Sequence, residues 1–107
     1  MAWTIAWEET VEEDLAWFGS KESRLLVKTV AEQLTNDPVA ESRNLKTFRP
    51  NPIAQRELRL HGKYRVLFNV DTGEEVVTVV VVGEKRGNML IVRGKEYTRH
   101  HEGSSPE

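Results

Sequence analysis

The sequence predicts an α+β protein: an N-terminal strand, an antiparallel helical hairpin, then a twisted, mostly antiparallel sheet of three or four further strands. Three observations predict it. Apolar residues recur at helical spacing between Val11 and Leu34. They alternate with a period of two from Arg56 to Val70. Val76 to Val82 is a valine run broken only by Thr78. Helical and extended patterns are segregated along the chain rather than alternating, which separates α+β from α/β.

The chain has 107 residues, which fits one domain, expected over residues 1–99, with a tail at 100–107. A chain of this size buries roughly two-thirds of its unfolded surface. It has no cysteine, so disulfides and cysteine-based metal sites or nucleophiles are excluded. No apolar run is long enough to span a membrane. The N-terminus lacks the charged and apolar regions of a secretory leader, so a cytoplasmic location is expected. The net charge of −2 hides a split. Up to Ser42 there are three cations against nine carboxylates; from Arg43 to Arg99 there are twelve cations against six. Such a split is a hint of an anionic partner for the basic half, or reflects only that the helices carry acids and the strands bases.

Trp3, Ile5 and Trp7 share one face of a first strand and are expected in the core rather than as base-stacking platforms. Thr10 and Glu13 have capping-box spacing, with Thr10 as N-cap. Val11, Leu15 and Phe18 follow on one helical face, and Gly19-Ser20 joins this helix to the next. The second helix is expected from about Lys21 to Thr35, on Leu26, Val30 and Leu34. Asn36-Asp37-Pro38 ends it, because proline cannot continue a helix. So short a join predicts a helical hairpin packed on one face of the sheet.

Val39 to Ile53 reads as a linker, pinned by Leu45 and Phe48 and stiffened by Pro50 and Pro52. Arg43, Lys46 and Arg49 make it cationic. Two strands then fold back at His61-Gly62-Lys63. After that turn Tyr64, Val66, Phe68 and Val70 take one face, and Lys63, Arg65, Leu67 and Asn69 the other. This half-buried hairpin presents Arg59, Lys63 and Arg65 together, and is the expected functional centre. Asp71-Thr72-Gly73-Glu74 is a turn with glycine at positive φ, and the valine run is the central strand. Gly83 to Asn88 is a polar turn, Met89 to Val92 a short strand, and Arg93 to Tyr97 a last ordered segment. The stretch from His100 to Glu107 reads as disordered. Its His100-His101 pair lacks a third ligand, so no metal site and no cofactor is expected.

An ordered set of segments resembles the RelE/ParE toxins of bacterial type II toxin–antitoxin systems. It comprises Leu34-Thr-Asn-Asp-Pro38, Arg49-Pro-Asn-Pro52, Glu57-Leu-Arg59, Tyr64-Arg-Val-Leu-Phe-Asn-Val-Asp71, Val82-Gly-Glu-Lys85, and Gly87-Asn-Met-Leu-Ile91 through Gly94-Lys-Glu96. The resemblance spans Trp3 to about Tyr97 and implies a RelE-like fold. One branch of the family cleaves messenger RNA on the ribosome and so stops translation. The other inhibits DNA gyrase without nuclease activity. Both are neutralised by a cognate antitoxin. On this resemblance the chain is expected to be an endoribonuclease toxin; the alternative is a gyrase inhibitor or an inactive relative that only binds its antitoxin.

The resemblance places Arg65 at the transition-state arginine, Arg59 at a strand position holding a catalytic lysine or arginine, and Lys85 at a second catalytic cation, a role Arg86 shares. His61 and Tyr97 are auxiliary acid–base candidates. Glu57 stands where one branch has lysine, and either serves as a base or pairs with Arg59 or Lys63. Ile91 stands where many of the nucleases have tyrosine. Arg49, Arg56 and Lys63 are expected to add RNA contacts, since guanidinium forks and ammonium groups suit phosphate.

Overall fold

The valine run is the spine of the sheet. A computed structural model of the chain describes residues 3–40, 42–48 and 53–97. In order these form β1 (Thr4–Trp7), α1 (Glu9–Trp17), α2 (Ser20–Leu34), β2 (Leu45–Thr47), β3 (Arg56–Leu60), β4 (Tyr64–Asp71), β5 (Val76–Arg86), β6 (Met89–Val92) and β7 (Lys95–Tyr97). The sheet runs β2-β3-β4-β5-β6-β7, all antiparallel, and β1 adds to β5 in parallel. Six strands follow the helices instead of three or four, because β2 and β7 are edge strands of three residues each.

One edge of β5 pairs with β4. The other is shared: β1 takes Val76 to Val79, and β6 takes Glu84 to Arg86. The expected polar turn at Gly83–Asn88 is therefore wrong in extent. β5 continues through Gly83, Glu84, Lys85 and Arg86, and only Gly87 and Asn88 turn. Strand pairing overrides the polar composition here, because β6 supplies partners for these backbone groups.

The helices cover one face. Val11, Leu15, Leu26, Val30 and Leu34 pack against Leu58, Leu60, Tyr64, Val66, Phe68, Val77, Val79 and Val82, with Trp3, Ile5 and Trp7 partly buried beside them. The apolar stripe of α2 falls every four residues, so its burial follows from helical geometry. The opposite face carries a smaller cluster of Ala54, Leu67, Val81 and Val92, with Phe48 and Tyr97 packed against it. The hairpin is thus not simply half-buried. Leu67, expected on a polar face, is fully buried, and a bulge between Leu67 and Phe68 adjusts the register against β5.

Three local expectations fail. α1 begins at Glu9 with Glu8 as N-cap and no side-chain cap, not at a Thr10 capping box. The amide of Glu8 donates to Val79 O (2.9 Å), so the chain turns into the helix as soon as β1 ends. The residues expected to form one linker include β2, which pairs Leu45, Lys46 and Thr47 with Leu58, Glu57 and Arg56. In the β4–β5 turn the positive φ lies at Glu75, not Gly73; the carboxylate of Asp71 accepts from the Glu74 amide and sets the turn. Arg49, Pro50, Asn51, Pro52 and the tail at 100–107 lie outside the described residues. Among the described residues no helix is long and apolar enough to cross a membrane.

Candidate active site

The face without helices holds a cavity of about 530 Å³. Its floor comes from Arg59 on β3, Arg65 on β4 and Lys85 on β5. Register explains their meeting. Arg59 is paired with Arg65, and Arg65 with Gly83. Lys85 lies two residues beyond Gly83, hence on the same face. One wall is the β2 edge, through Lys46, Thr47 and Phe48; the other is the β6–β7 hairpin, through Met89, Leu90, Glu96 and Tyr97. In a flat sheet those edges would lie about 24 Å apart, five strand spacings. That both line one cavity means the sheet curls around it.

Gly83 makes the curl possible. A Cβ there would fall 2.6 Å from Ile91 O and 2.9 Å from Cγ2 of Val92. Any side chain at this position would push β6 away from β5, and the far wall with it.

The cations are held differently. Arg65 is buried, and its Nη1 donates to the carbonyls of Tyr64 (3.0 Å) and Gly62 (3.4 Å). Burial lowers its pKa below the usual guanidinium value; Glu57 works against this and Arg59 adds to it. A guanidinium starts so high that Arg65 remains a cation. Arg59 is half-exposed, and its Nε donates to Oε1 of Glu57 at 3.0 Å. Lys85 is exposed, and its amide donates to Lys63 O at 2.7 Å, which ties β5 to the β3–β4 turn. Lys46, Arg59, Arg65 and Lys85 face two carboxylates, Glu57 and Glu96. The surplus of positive charge in a concave site attracts anions.

The cavity therefore gathers Arg59, Arg65, Lys85, Glu57 and Tyr97, but not the other sequence candidates. The ammonium of Lys63 lies 5.0 Å from the centre of the Tyr64 ring, on the helix side. His61 stands edge-on to the same ring at 6.3 Å, in the turn at φ 52°. Arg86 is exposed and meets Glu84 at 3.5 Å. Arg56 is on the helix face, where its guanidinium donates to Val39 O (2.6 Å) and Ala40 O (2.7 Å). It fastens the chain after α2, so the guanidinium expected to contact RNA is engaged within the fold, on the face opposite the cavity. Arg49 lies outside the described residues. Sequence reasoning had Lys46 only within the cationic linker beside the hairpin, and missed Thr47, Phe48, Asn88, Met89, Leu90 and Glu96 as cavity residues. The spacing of Lys46 and Phe48 was the available signal, but a strand of three residues is too short to display a period.

No family profile matches the chain, and no curated protein sequence does. Solved structures do. A chain of the RelBE2 toxin–antitoxin complex from Mycobacterium tuberculosis superposes with a TM-score of 0.67, at 21% identity, over 79% of this chain and 93% of that one. The E. coli toxin RelE, in a variant with two arginines changed to alanine and in its free state, matches with a TM-score of 0.57 and 30% identity, over 78% of this chain and 83% of that one.

Proposed function

Because this chain belongs to the RelE/ParE superfamily of toxins, we propose that it cleaves messenger RNA on the ribosome and that an antitoxin bound to it holds that activity in check. The observation that carries the reading is the convergence of Arg59, Arg65 and Lys85, from three adjacent strands, on one cavity. Two arginines and a lysine in a concave, partly apolar site suit a phosphodiester. The ribose 2′-OH attacks the neighbouring phosphorus, the P–O5′ bond breaks, and a 2′,3′-cyclic phosphate and a 5′-OH remain. Charge grows on the non-bridging oxygens. Arg65, fixed by two carbonyl contacts, needs no reorganisation to meet it. Lys85 and Arg59 hold the phosphate from either side. Glu57 is the carboxylate placed to take the 2′ proton once phosphate competes for Arg59, and Tyr97 is the hydroxyl at the far wall able to supply one to O5′. Tyr97, from β7, thus occupies the cavity in place of the tyrosine that Ile91 lacks.

Induction without the antitoxin should halt translation and yield discrete cuts in primer extension of messages. Arg65→Ala should lower cleavage about 10²–10³-fold, the range for removing one preorganised donor. The Glu57–Arg59 ion pair favours a second reading, a non-cleaving toxin that inhibits DNA gyrase or only binds its antitoxin. Intact transcripts with DNA damage after induction would select it.

A further inference from the structure

On the nuclease reading, we propose that Asp14 and Arg93, outside the cavity, are positioning residues that set where Lys85 and Tyr97 stand. The exchange of neighbours along β5 leaves a stretch between Val79 and Glu84 that neither β1 nor β6 pairs. The amide of Val82 falls in this stretch, and it donates to Oδ2 of Asp14 at 3.0 Å. Asp14 comes from α1 and is almost fully buried. A side chain from a helix thus stands in for a strand in the gap between β1 and β6.

The second oxygen of Asp14 looks the other way. Oδ1 meets Nε of Arg93 at 3.3 Å, and Nη1 of Arg93 meets Glu13 at 2.7 Å. Arg93 and Gly94 form the β6–β7 turn, with φ of 51° and 78°. Gly94 lies under the indole of Trp17, where a Cβ would approach within 2.7 Å. Helix α1 therefore grips the strand that carries Lys85 and the hairpin that carries Leu90 and Tyr97. The groups facing Asp14 are Glu13 on its own helix, the Val82 amide on β5 and Arg93 on the hairpin. Burial raises its pKa, and the Val82 amide and Arg93 pull it back. A carboxylate kept there against desolvation has these two contacts as its structural use.

Asp14→Asn separates the two contacts. The amide oxygen still accepts from Val82, but its NH₂ faces the donor nitrogen of Arg93 and loosens the hairpin, which keeps its hold on Glu13 and Trp17. With 3-fluorotyrosine at both tyrosines, Tyr64 and Tyr97, the Tyr97 resonance of the full chain should shift or broaden while Tyr64 stays in place. In the ribosome assay kcat should fall about 10–10²-fold, the cost of misplacing reacting groups by about 1 Å, with half-saturation within about twofold. Arg93→Met should do the same, and Arg93→Lys should recover part of the rate. If both resonances and the rate stay at wild-type values, or if Tyr64 moves along with Tyr97, the proposal is overturned. If the parent protein does not cleave message at all, the nuclease reading falls, and the two resonances still decide whether the clamp positions the hairpin.

Discussion

Arg56 and Arg59 stand three residues apart on β3 and meet opposite fates. Arg56 faces the helices, is buried, and spends its guanidinium on two carbonyls of the chain. Arg59 faces the cavity, is half-exposed, and has one carboxylate at 3.0 Å. Sequence distance and residue type are nearly equal; the side of the sheet decides. On the helix face polar atoms are consumed in holding the fold. On the cavity face they remain within reach of a ligand.

The largest test of this contrast is in the cores. Phe68→Ala should cost about 3–5 kcal/mol, since the fully buried ring lies between sheet and helices. Leu67→Ala, next in sequence but in the smaller opposite cluster, should cost about 2–3 kcal/mol. Urea unfolding of the two variants measures both. An equal or reversed order would mean that the cavity face, not the helix face, carries the stability.

Arg56→Met comes next. It removes two charge-assisted hydrogen bonds and leaves the carbonyls of Val39 and Ala40 without them, a loss of about 3–4 kcal/mol at the lower end for such bonds. Thermal or urea denaturation should show it, with RNA binding of the folded fraction unchanged.

Tyr64 gives the helix face a pH signature. Its hydroxyl donates to Glu22, and its ring packs edge-on against Phe18. Burial first, then the bond to Glu22 and the charges of Glu22 and Glu84, push its pKa up to about 12. The folded state therefore holds the phenolic proton more tightly than the unfolded chain. The associated stability is complete below pH ~10 and is lost as pH rises toward 12, in total about 2–3 kcal/mol. The difference in unfolding free energy between the parent protein and Tyr64→Phe should shrink by that amount over this interval. A difference that stays constant would show that the phenol has no such environment.

How much of this was legible depended on the length of the signal. The α2 stripe and the valine run extend over many residues, so their periods, and with them the α+β class, stood out. Arg59 and Arg65 could be placed on one face because strand parity suffices; Lys85, read in a polar turn, came only from the family resemblance, because the pairing that extends β5 through Arg86 is not visible in its polar composition. Arg56 and Lys63 could not. The parity of Arg56 with Leu58 and Leu60 placed it on the helix face, but cationic composition argued for the other. The departure of Lys63 toward Tyr64 depends on a ring whose position follows from tertiary packing. Lys46 lies in β2 and Phe48 directly after it, and that strand exists only because β3 is there to pair with it. The link from Asp14 to Val82 spans 68 residues and answers a break in strand pairing that no local pattern encodes.

The smallest effect falls on Arg59 and tests the contrast most directly. Its ion pair with Glu57 is half-open to water, so Arg59→Met should change stability by less than about 1 kcal/mol. Its cost should appear in RNA binding. A cation that neutralises one phosphate of a single strand contributes about 0.7 to the slope of log K against log salt. Glu57 competes with phosphate for the same guanidinium, so about 0.7 is the upper end of the slope lost in Arg59→Met. Arg56→Met, with its guanidinium on the far side of the sheet, should leave the slope where it was. Binding of a short RNA to the full chain across a salt series measures both variants. A slope that falls for Arg56 and not for Arg59 would reverse the assignment of faces. Slopes unchanged from the parent in both variants would mean that RNA phosphate does not enter the cavity at Arg59, and the ion pair with Glu57 would then be the whole of its role.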